Sequence, residues 1–385
     1  MRVLHLTTHD EVCGVADYQA HFIAGMQVGS QDVEHVVWDL SPNIIQRLAQ
    51  PEYEAAMTRF IWEAAAFDVV HVQVEWAFYT RDELARVVDG VHRAGKRVVL
   101  TIHTAPEALP DVYPPRRNGL SPRETTAYLR ARRAYRHTVD RILGPIRRAD
   151  LIIVHNAATA DSLVAVGVER ARIQTIIHPI RSANAGRPAG IIRAALGAGK
   201  GDTVLAAVGF VHRFKGLVDA VKALRLLPES YKLAVLGGVS PNGGDARHLD
   251  ELADLILEHG LSDRVHITGY IQTEAEVDAL VRDCDIAIYP YHPEFYSRVS
   301  SGALSAALAN GLPVVVYPTA TFLELAAVTD AVTVARAASY YELARSVREV
   351  VAGRNDAALA FAQRHSFEHA GADLVESYRQ MVGSR

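Results

Sequence analysis

A loop at residues 208–217, with the sequence VGFVHRFKGL, combines a glycine with closely spaced cationic side chains. An apolar run precedes the loop and a predicted helix follows it, which is the pattern of strand, loop and helix. Gly209 permits a tight turn, and Arg213 and Lys215 extend from the loop with charge that suits a phosphate. The alternative interpretation is an ordinary solvated turn, because Lys-Gly pairs also mark turns.

A second candidate anion site lies in residues 289–316, where a strand, a proline loop and an alanine-rich helix follow one another. Ser300 or Ser301 can cap this helix, and Gly302 lets the backbone come close to a ligand. The open N–H groups of a helix N-terminus attract anions, although an ordinary capped helix has the same sequence pattern. Together the two loops place cations and N–H donors at two strand ends of one domain. That combination suits a diphosphate and requires no metal.

A third set of polar residues lies at or near the ends of the predicted strands of the N-terminal half. A hydroxyl acceptor needs polar partners and often an aromatic platform, which Glu75 and Trp76 supply. His103 ends an apolar strand and precedes a Thr-Ala-Pro loop, so we favour a functional role for it. His5 and His71 lie inside strands, and for them we favour satisfied core histidines. The full set comprises His9, Asp10, Glu11, His71, Gln73, Glu75, Trp76, Tyr79, His103 and Thr104.

The segment 116–148 contains ten arginines against Glu124 and Asp140. Its helical parts carry apolar residues between the arginines. A basic amphipathic helix can lie on an anionic membrane surface. The alternatives are a solvated Arg-rich helix and a patch that recruits an anionic acceptor. The lack of Trp and Phe on the apolar positions favours these alternatives over membrane contact.

Predicted strands and helices alternate along both halves of the chain, and the Gly-, Ala- and Arg-rich segment 182–200 interrupts the rhythm. Such alternation indicates parallel sheets with helices on both faces. We therefore predict an α/β protein with two doubly wound, Rossmann-like domains that face each other across a ligand-binding cleft. The predicted parts are an N-terminal domain at 1–180, a linker at 181–200 with one short helix, a C-terminal domain at 201–370, and a final helix at 371–385 that can pack back on the first domain.

The strand predictions rest on apolar runs bounded by turn residues. Their limits are 2–7, 34–39, 68–74, 97–103, 149–155, 173–177, 204–208, 231–236, 265–268, 286–289 and 313–317.

Composition excludes several classes of protein. The chain has 385 residues, of which 49% are hydrophobic and 22% charged, as expected of a soluble protein with two domains. Its net charge of −4 argues against a nucleic-acid binder. Cys13 and Cys284 lie far apart beside apolar runs, so we expect free thiols in a reducing cytoplasm. No apolar run approaches the ~18 residues of a membrane span, and the N-terminus is typical of a strand rather than a signal peptide. No zinc-site spacing, nucleophile elbow or full P-loop is present.

The ordered motifs resemble the GT-B glycosyltransferases of family 4, a retaining class that uses nucleotide sugars. The resemblance covers nearly the whole chain. In the C-terminal half it rests on VGF with KG in 208–216, LAVLGG at 233–238, HITGYI at 266–271, CDIAIYPY at 284–291 and ALANGLPVVV at 307–316. In the N-terminal half it rests on CGVADY at 13–18, VHVQVEW at 70–76, VLTIHTAPE at 99–107, IIVHNAATADSLVAVGV at 152–168 and IIHPI at 176–180.

The resemblance implies a role for each matching position. Lys215 would bind the donor diphosphate. The family usually has an arginine five residues earlier, where this chain has Phe210, so Arg213 is our candidate substitute. Gly14 would let the first loop approach the donor phosphate, and His103 would lie near the anomeric centre of the sugar. Tyr270 and Ile271 lie where the base-binding loop of the family runs. The remaining donor-binding candidates are Gly209, Arg298 and the backbone N–H groups of Ser301, Gly302, Ala303 and Leu304.

The chain also departs from the family pattern. Members usually carry two glutamates, eight positions apart, before the Gly-x-Pro, and the second holds the ribose hydroxyls. Arg298 and Ala306 occupy those positions here. Some subgroups carry an SG-type loop in place of the second glutamate, and this chain resembles those.

The implied function is transfer of a sugar, with retention, from a nucleoside-diphosphate sugar to a hydroxyl acceptor bound near Asp10, Glu75 and Trp76. No cofactor and no metal are expected. A cytoplasmic protein is implied, with the inner face of the membrane as an open alternative through 116–148. Two other classes remain open: a non-catalytic GT-B subunit that supports a partner enzyme, and a phosphorylase or epimerase on a similar fold.

Overall fold

The computed structural model describes residues 1–40, 50–75, 78–79, 82–104, 143–241, 246–296 and 300–383. The chain divides into two compact units. The first unit consists chiefly of Met1–Ile177 and Glu368–Arg385, and the second of His178–Ser297 and Ser301–Phe367.

Six strands form the sheet of the first unit: β1 (Arg2–Thr7), β2 (Glu34–Asp39), β3 (Val69–Val74), β4 (Arg97–Ile102), β5 (Leu151–Val154) and β6 (Ile173–Thr175). All neighbouring strands are parallel, in the order β2-β1-β3-β4-β5-β6. Every residue of β3 is buried, and its Val-rich sequence is typical of a parallel sheet that is covered on both faces. The order reverses between β1 and β3, so the loops after these two strands lie next to each other at the switch point.

The described helices that accompany this sheet include α1 (Gly14–Gly29), α2 (Gln50–Ala64), α3 (Glu83–Arg93) and α4 (Ala157–Ala165). The first-unit core combines strand residues such as Leu6, Val72 and Leu100 with helix residues such as Phe60 and Val87. The core therefore holds the β1, β3 and β4 ends in a fixed arrangement.

Six further strands form the sheet of the second unit: β7 (Thr203–Val208), β8 (Tyr231–Leu236), β9 (Val265–Ile267), β10 (Ile286–Tyr289), β11 (Val314–Val316) and β12 (Val332–Val334). They are parallel in the order β12-β11-β10-β7-β8-β9, and the order reverses between β10 and β7. The loops after β7 and β10 carry the two predicted anion sites. They therefore meet at the position where open α/β sheets bind ligands.

The remaining helices are α5 (Ile191–Ala195), α6 (Leu217–Leu226), α7 (Ala246–Glu258), α8 (Glu274–Val281), α9 (Pro293–Tyr296), α10 (Gly302–Ala309), α11 (Ala320–Ala326), α12 (Tyr340–Glu349), α13 (Asp356–Arg364) and α14 (Phe367–Gly383). Within the described residues, no helix is both long and apolar enough to cross a bilayer.

The strand limits agree with the sequence pattern at β1, β2, β8 and β10. Others end earlier than predicted: β4 stops at Ile102, so His103 begins the following loop, and β6 stops at Thr175. Neither β12 nor α11 was predicted, because each is short and the strand contributes only three residues.

The segment 182–200 packs on the second unit through buried acidic side chains. Asp278 on α8 receives two hydrogen bonds of 2.8 Å from Arg181 and one of 2.8 Å from the Asn184 backbone. Asp283 accepts from the N–H groups of Gly190 and Ile192 at the start of α5. Burial by itself raises the pKa of Asp278, but the hydrogen bonds from Arg181, Asn184 and Asn310 together lower it.

Candidate functional site

The loop after β7 and the start of α10 converge at the switch point of the second sheet. A Cβ atom placed on Gly209 would lie 3.2 Å from the Ala303 Cβ and 3.3 Å from the Lys215 Nζ. Gly209 has φ of +113°, which L side chains rarely adopt. The absence of a side chain at Gly209 therefore lets the lysine ammonium and the first turn of α10 approach one another.

Lys215 lies at the end of a 3-10 turn, Arg213–Lys215, and is half-buried. Its Nζ donates a hydrogen bond of 2.7 Å to the Tyr291 hydroxyl and lies 4.5 Å from the centre of that ring. Burial raises the pKa of Tyr291, so the phenol is neutral at physiological pH. This partner is neutral, so it orients the ammonium through a hydrogen bond and not through an ion pair.

Ser301 occupies the N-cap position of α10, as the sequence predicts, but its hydroxyl does not cap the helix. The Ser301 Oγ instead lies 3.1 Å from the Tyr291 hydroxyl. The prediction of a side-chain cap is therefore wrong, because the buried tyrosine competes for the serine. The Ser301 side chain consequently takes none of the first-turn N–H groups of α10. The Leu304 N–H donates 3.2 Å to the Ser301 carbonyl, so the N–H groups of Gly302 and Ala303 are the ones that can serve an anion.

The residues that follow Ser301 form the first turn of α10. Gly302 is exposed, Ala303 is half-buried and Leu304 is buried. The Tyr289 hydroxyl donates 2.8 Å to the Ala303 carbonyl and so fixes the turn. His178, from the IIHPI motif, approaches within 4.0 Å of the Cβ position of Gly302, and burial lowers its pKa to about 4.

Arg213, the candidate substitute for the family arginine, forms an ion pair of 2.8 Å with Glu251 on α7. Phe210 stacks on Tyr270 with ring centres 6.0 Å apart and an interplanar angle of 7°. Both rings are 38% exposed, and Ile271 beside them is half-buried. The base-binding candidates thus form a partly open aromatic surface.

Two site predictions fall outside the described residues: Arg298 and Trp76. The other position of the missing glutamates, Ala306, is buried in α10. The arginine-rich segment 116–148 is described only over 143–148.

In the first unit, His103 and Glu75 lie in neighbouring loops after β4 and β3. His103 Nε2 lies 2.7 Å from the Gln73 Oε1, and the Thr104 hydroxyl donates 2.9 Å to Glu75. The Tyr18 ring packs edge-on against His103 at 4.9 Å. The sheet therefore brings these predicted residues together, because β3 and β4 are adjacent and in register.

Asp10 and Gly14 lie in the loop after β1. Asp10 is exposed and has φ of 52°, an uncommon conformation for a residue other than glycine. His9 lies 3.6 Å from the Asp10 carboxylate and donates its backbone N–H to Asp39. A Cβ on Gly14 would meet no described atom within 4 Å, so open space surrounds this position at the start of α1.

The interior histidines of the first unit form a hydrogen-bonded cluster. His5 contacts His35 at 3.0 Å and Gln19 at 2.8 Å, and His71 contacts Thr101 at 2.7 Å. Burial lowers the pKa of His35 to about 4 and of His71 to about 3, and it lowers the pKa of His5 well below its usual value. His5 and His71 are therefore neutral core residues, as the sequence favours.

Tyr291 and His178 are site residues that the sequence reasoning did not single out. Both stand in the motifs CDIAIYPY and IIHPI that carry the family resemblance. The signal that could have found Tyr291 is its position directly after the strand end, where a polar ring can reach the neighbouring loop.

Within the described residues, no group of three or more His, Cys, Asp or Glu side chains could hold a metal ion. Cys13 and Cys284 are both free thiols.

Comparison with protein families assigns both halves of the chain. Residues 190–372 match the family model described as "Glycosyl transferases group 1", and residues 16–182 match the one described as "Glycosyltransferase Family 4". The chain therefore carries two glycosyltransferase domains, one of family 4 and one of group 1. The predicted α/β architecture with two parallel sheets and the predicted resemblance to family 4 glycosyltransferases are confirmed.

Solved structures of low sequence identity share the fold of this glycosyltransferase. HepE from Anabaena in complex with UDP has a TM-score of 0.69 and 16% identity, over 99% of this chain and 100% of that one. Sucrose-phosphate synthase from Thermosynechococcus elongatus has a TM-score of 0.71 and 14% identity over 100% of both chains. An E. coli structure described as trehalose-6-phosphate bound with UDP-2-fluoro glucose has a TM-score of 0.65 and 12% identity over 99% of both chains. A search among curated proteins finds no match.

Proposed function

We propose that this glycosyltransferase moves a sugar from a nucleoside-diphosphate sugar to a hydroxyl acceptor, with retention at the anomeric carbon. The observation that carries the proposal is the convergence of Gly209, the Lys215 ammonium and the first turn of α10 at the switch point of the second sheet. HepE is also known in complex with UDP-glucose, which makes uridine diphosphate sugars the first donors to test.

Lys215 and the N–H groups of 301–304 would stabilise the negative charge that develops on the departing diphosphate. These groups are held before the ligand arrives: Tyr291 orients the lysine, and Tyr289 fixes the turn at Ala303. Arg213 would add a second charge, in competition with its pairing to Glu251. With this charge supplied by the chain, the leaving step requires no metal.

In the proposed reaction the acceptor hydroxyl attacks the anomeric carbon from the face that the diphosphate leaves. The bond from the anomeric carbon to the phosphate oxygen breaks, the bond to the acceptor oxygen forms, and the acceptor proton passes to the leaving phosphate. No separate general base is then needed. His103 would orient the sugar, with Asp10, Glu75 and Trp76 toward the acceptor and Gly14 toward the donor phosphate.

The donor base would contact Tyr270 and Ile271. Phe210 stands where the family usually has an arginine, and its stacking on Tyr270 replaces a charge with an aromatic surface. Stacking on a base is favourable for any nucleobase. The donor panel should therefore include nucleotide sugars with several different bases.

The experiment compares Lys215→Ala with Lys222→Ala in sugar-transfer assays over a panel of nucleotide sugars. Lys222 lies on α6 with its Nζ 5.8 Å from the Tyr340 ring, so its replacement removes a lysine charge elsewhere in the same unit. Lys215→Ala should lower kcat/KM roughly 100-fold, the effect of removing a charge-assisted contact to the leaving group. Lys222→Ala should leave it unchanged. Equal activity of Lys215→Ala and the wild type would exclude the assigned phosphate site.

A second candidate function is a non-catalytic subunit that binds a nucleotide or glycan and supports a partner enzyme. The buried Ala306, at the position where the family holds the ribose with a carboxylate, favours it. Calorimetric titration with nucleoside diphosphates, combined with sugar-transfer assays on the same protein, separates the two functions. Binding without transfer to any acceptor would support the subunit, whereas binding with transfer would support the enzyme.

We place the reaction in the cytoplasm, where a nucleotide-sugar donor is available and both free thiols remain reduced. Contact of 116–148 with an anionic membrane is a separate part of the proposal. Sedimentation with anionic and with neutral vesicles tests it, and binding to neither would exclude it.

A further inference from the structure

We propose that the Gln73 amide, anchored through His71 to Tyr378 on α14, fixes the proton of His103 on its Nε2 atom. This makes Gln73, His71 and Tyr378 positioning residues for sugar transfer. The catalytic consequence rests on the proposed function, whereas the location of the proton does not.

The proposal starts from a continuous line of short contacts within the first unit. The Tyr378 hydroxyl lies 2.6 Å from His71 Nδ1. His71 Nε2 lies 3.3 Å from Gln73 Nε2, and Gln73 Oε1 lies 2.7 Å from His103 Nε2. The line therefore joins the C-terminal helix to the loop after β4 through side chains of β3.

The amide at the centre of this line couples the two histidines. One end of a glutamine amide only donates and the other end only accepts. The two ring nitrogens that face it must therefore differ: one carries a proton and the other does not. With Oε1 toward His103, the proton belongs on His103 Nε2, and His71 Nε2 accepts.

The orientation of the amide is given by Gln73 Oε1, which lies 2.7 Å from His103 Nε2, and the far end of the line is compatible with it. His71 Nε2 also lies 2.7 Å from the Thr101 hydroxyl, which can donate to it. With Nε2 accepting, a neutral His71 carries its proton on Nδ1 and donates to the Tyr378 oxygen. Burial lowers the pKa of His71 to about 3, so the ring is neutral under the conditions of any ordinary assay.

Burial makes alternative arrangements costly. Gln73 and Tyr378 are completely buried and His71 is 1% exposed, so water cannot replace a lost partner. The Tyr18 ring against His103 restricts the tilt of the imidazole. The orientation of His103 and the site of its proton are therefore set together, before any substrate binds.

The consequence concerns the other ring nitrogen of His103. With the proton on Nε2, Nδ1 has the lone pair and serves as a hydrogen-bond acceptor. A sugar hydroxyl can donate to such a nitrogen, whereas a protonated Nδ1 would repel that hydroxyl hydrogen. The tautomer thus selects how the sugar is held in the proposed reaction.

The test is nitrogen NMR of the full-length protein labelled with 15N-histidine, with the His103 signals assigned by their loss in His103→Asn. In the wild type we expect the shift of a protonated nitrogen at Nε2 and of a bare nitrogen at Nδ1. A proton on Nδ1 instead would overturn the proposal without the use of any variant.

Three variants then trace the line. Gln73→Leu removes the acceptor, so the His103 signals should move toward the other tautomer, whereas Gln73→Glu retains an acceptor at this position and should keep a proton on His103 Nε2. Tyr378→Phe removes the acceptor of the His71 Nδ1 proton and should change the His103 signals through Gln73. Unchanged signals in folded Gln73→Leu and Tyr378→Phe would overturn the proposal.

The matched control is Ser377→Ala, one residue from Tyr378 on the same helix. The Ser377 hydroxyl donates 2.9 Å to Gln174, so this variant also loses a hydrogen bond between α14 and the sheet. It should leave the His103 signals unchanged. If Ser377→Ala shifted the His103 signals as much as Tyr378→Phe, the shift would come from a general disturbance of α14, and the proposal would be overturned.

Activity gives a second readout. Tyr378→Phe should lower kcat roughly tenfold, the effect of one hydrogen bond, and should leave nucleoside-diphosphate affinity unchanged. If no nucleotide sugar supports transfer by the wild type, the proposed function fails, and the NMR result still decides the position of the proton.

Discussion

The two sheets of this glycosyltransferase both carry polar groups at the carboxyl ends of their strands, but they hold them in different ways. In the second unit, glycines bring backbone N–H groups and the Lys215 ammonium together, and the lysine has a neutral phenol as its partner. In the first unit, the side chains that orient His103 are imidazole, amide and hydroxyl groups with hydrogen bonds inside the core. The second site depends on close backbone approach, and the first on matched donors and acceptors.

This difference suggests two kinds of sensitivity. Steric change should damage the second site most, because its distances allow no additional atoms. Loss or gain of protons should damage the first site most, because its buried groups depend on fixed donor and acceptor roles. The following predictions test that contrast.

The largest effect is expected from Gly216→Ala compared with Gly14→Ala. Gly216 has φ of +67°, and a Cβ there would collide with the Pro290 carbonyl, whereas a Cβ on Gly14 meets no described atom within 4 Å. Gly216→Ala should lower the free energy of unfolding by about 3 kcal/mol or more, and Gly14→Ala by less than about 1 kcal/mol. Urea unfolding of both variants provides the measurement. Equal losses of unfolding free energy in the two variants would contradict the proposed steric sensitivity of the second site.

Acidification should weaken the first unit more than the second. His71 has a pKa near 3 in the folded protein against about 6.5 unfolded, so the unfolded chain binds more protons between these values. The contribution of neutral His71 to the free energy of unfolding is complete above pH 6.5 and falls as the pH decreases toward 3. Between pH 7.5 and 5 this group alone costs about 2 kcal/mol. His5 and His35 lower the stability of the first unit in the same direction. In the second unit His178, with a pKa of about 4, acts in this way, so the summed loss of stability from these histidines is smaller there.

Pulse proteolysis in urea at the two pH values, with fragments assigned to each unit by mass spectrometry, measures this difference. We expect fragments of the first unit to appear at lower urea concentration at pH 5. Prior cleavage of the second unit would contradict the contrast.

A smaller effect is expected for Tyr291→Phe. The ring and its contact with the lysine charge remain, but Lys215 and Ser301 lose the hydroxyl at 2.7 and 3.1 Å. Affinity for a nucleoside diphosphate should fall roughly fivefold, equivalent to about 1 kcal/mol for one hydrogen bond. Calorimetric titration measures this affinity, with Tyr340→Phe as a control in the same unit. An unchanged affinity would mean that the phenol does not position the lysine.

The sequence predicted what is encoded locally. The strand, glycine loop and helix around Gly209 and Lys215 are contiguous, and so are the strand, loop and helix around Gly302. Their alternation predicted two parallel sheets. Because loops after parallel strands meet at one edge, the approach of these two loops followed from the fold class alone.

Contacts between distant segments were not predictable in the same way. Tyr378 and His71 are 307 positions apart, and no periodic pattern relates them. The pairing of Arg213 with Glu251 and the competition of Tyr291 for Ser301 depend on side-chain directions in the folded chain. A serine that caps a helix and a serine that bonds to a buried tyrosine have the same sequence context, so only the structure separates them.

The most direct test of the central claim is a crystal structure of the protein with uridine diphosphate. The account predicts that β-phosphate oxygens lie about 2.7–3.1 Å from the Lys215 Nζ and from N–H groups at the start of α10, next to Gly209. A diphosphate that is bound away from Lys215, Gly302 and Ala303 would contradict it.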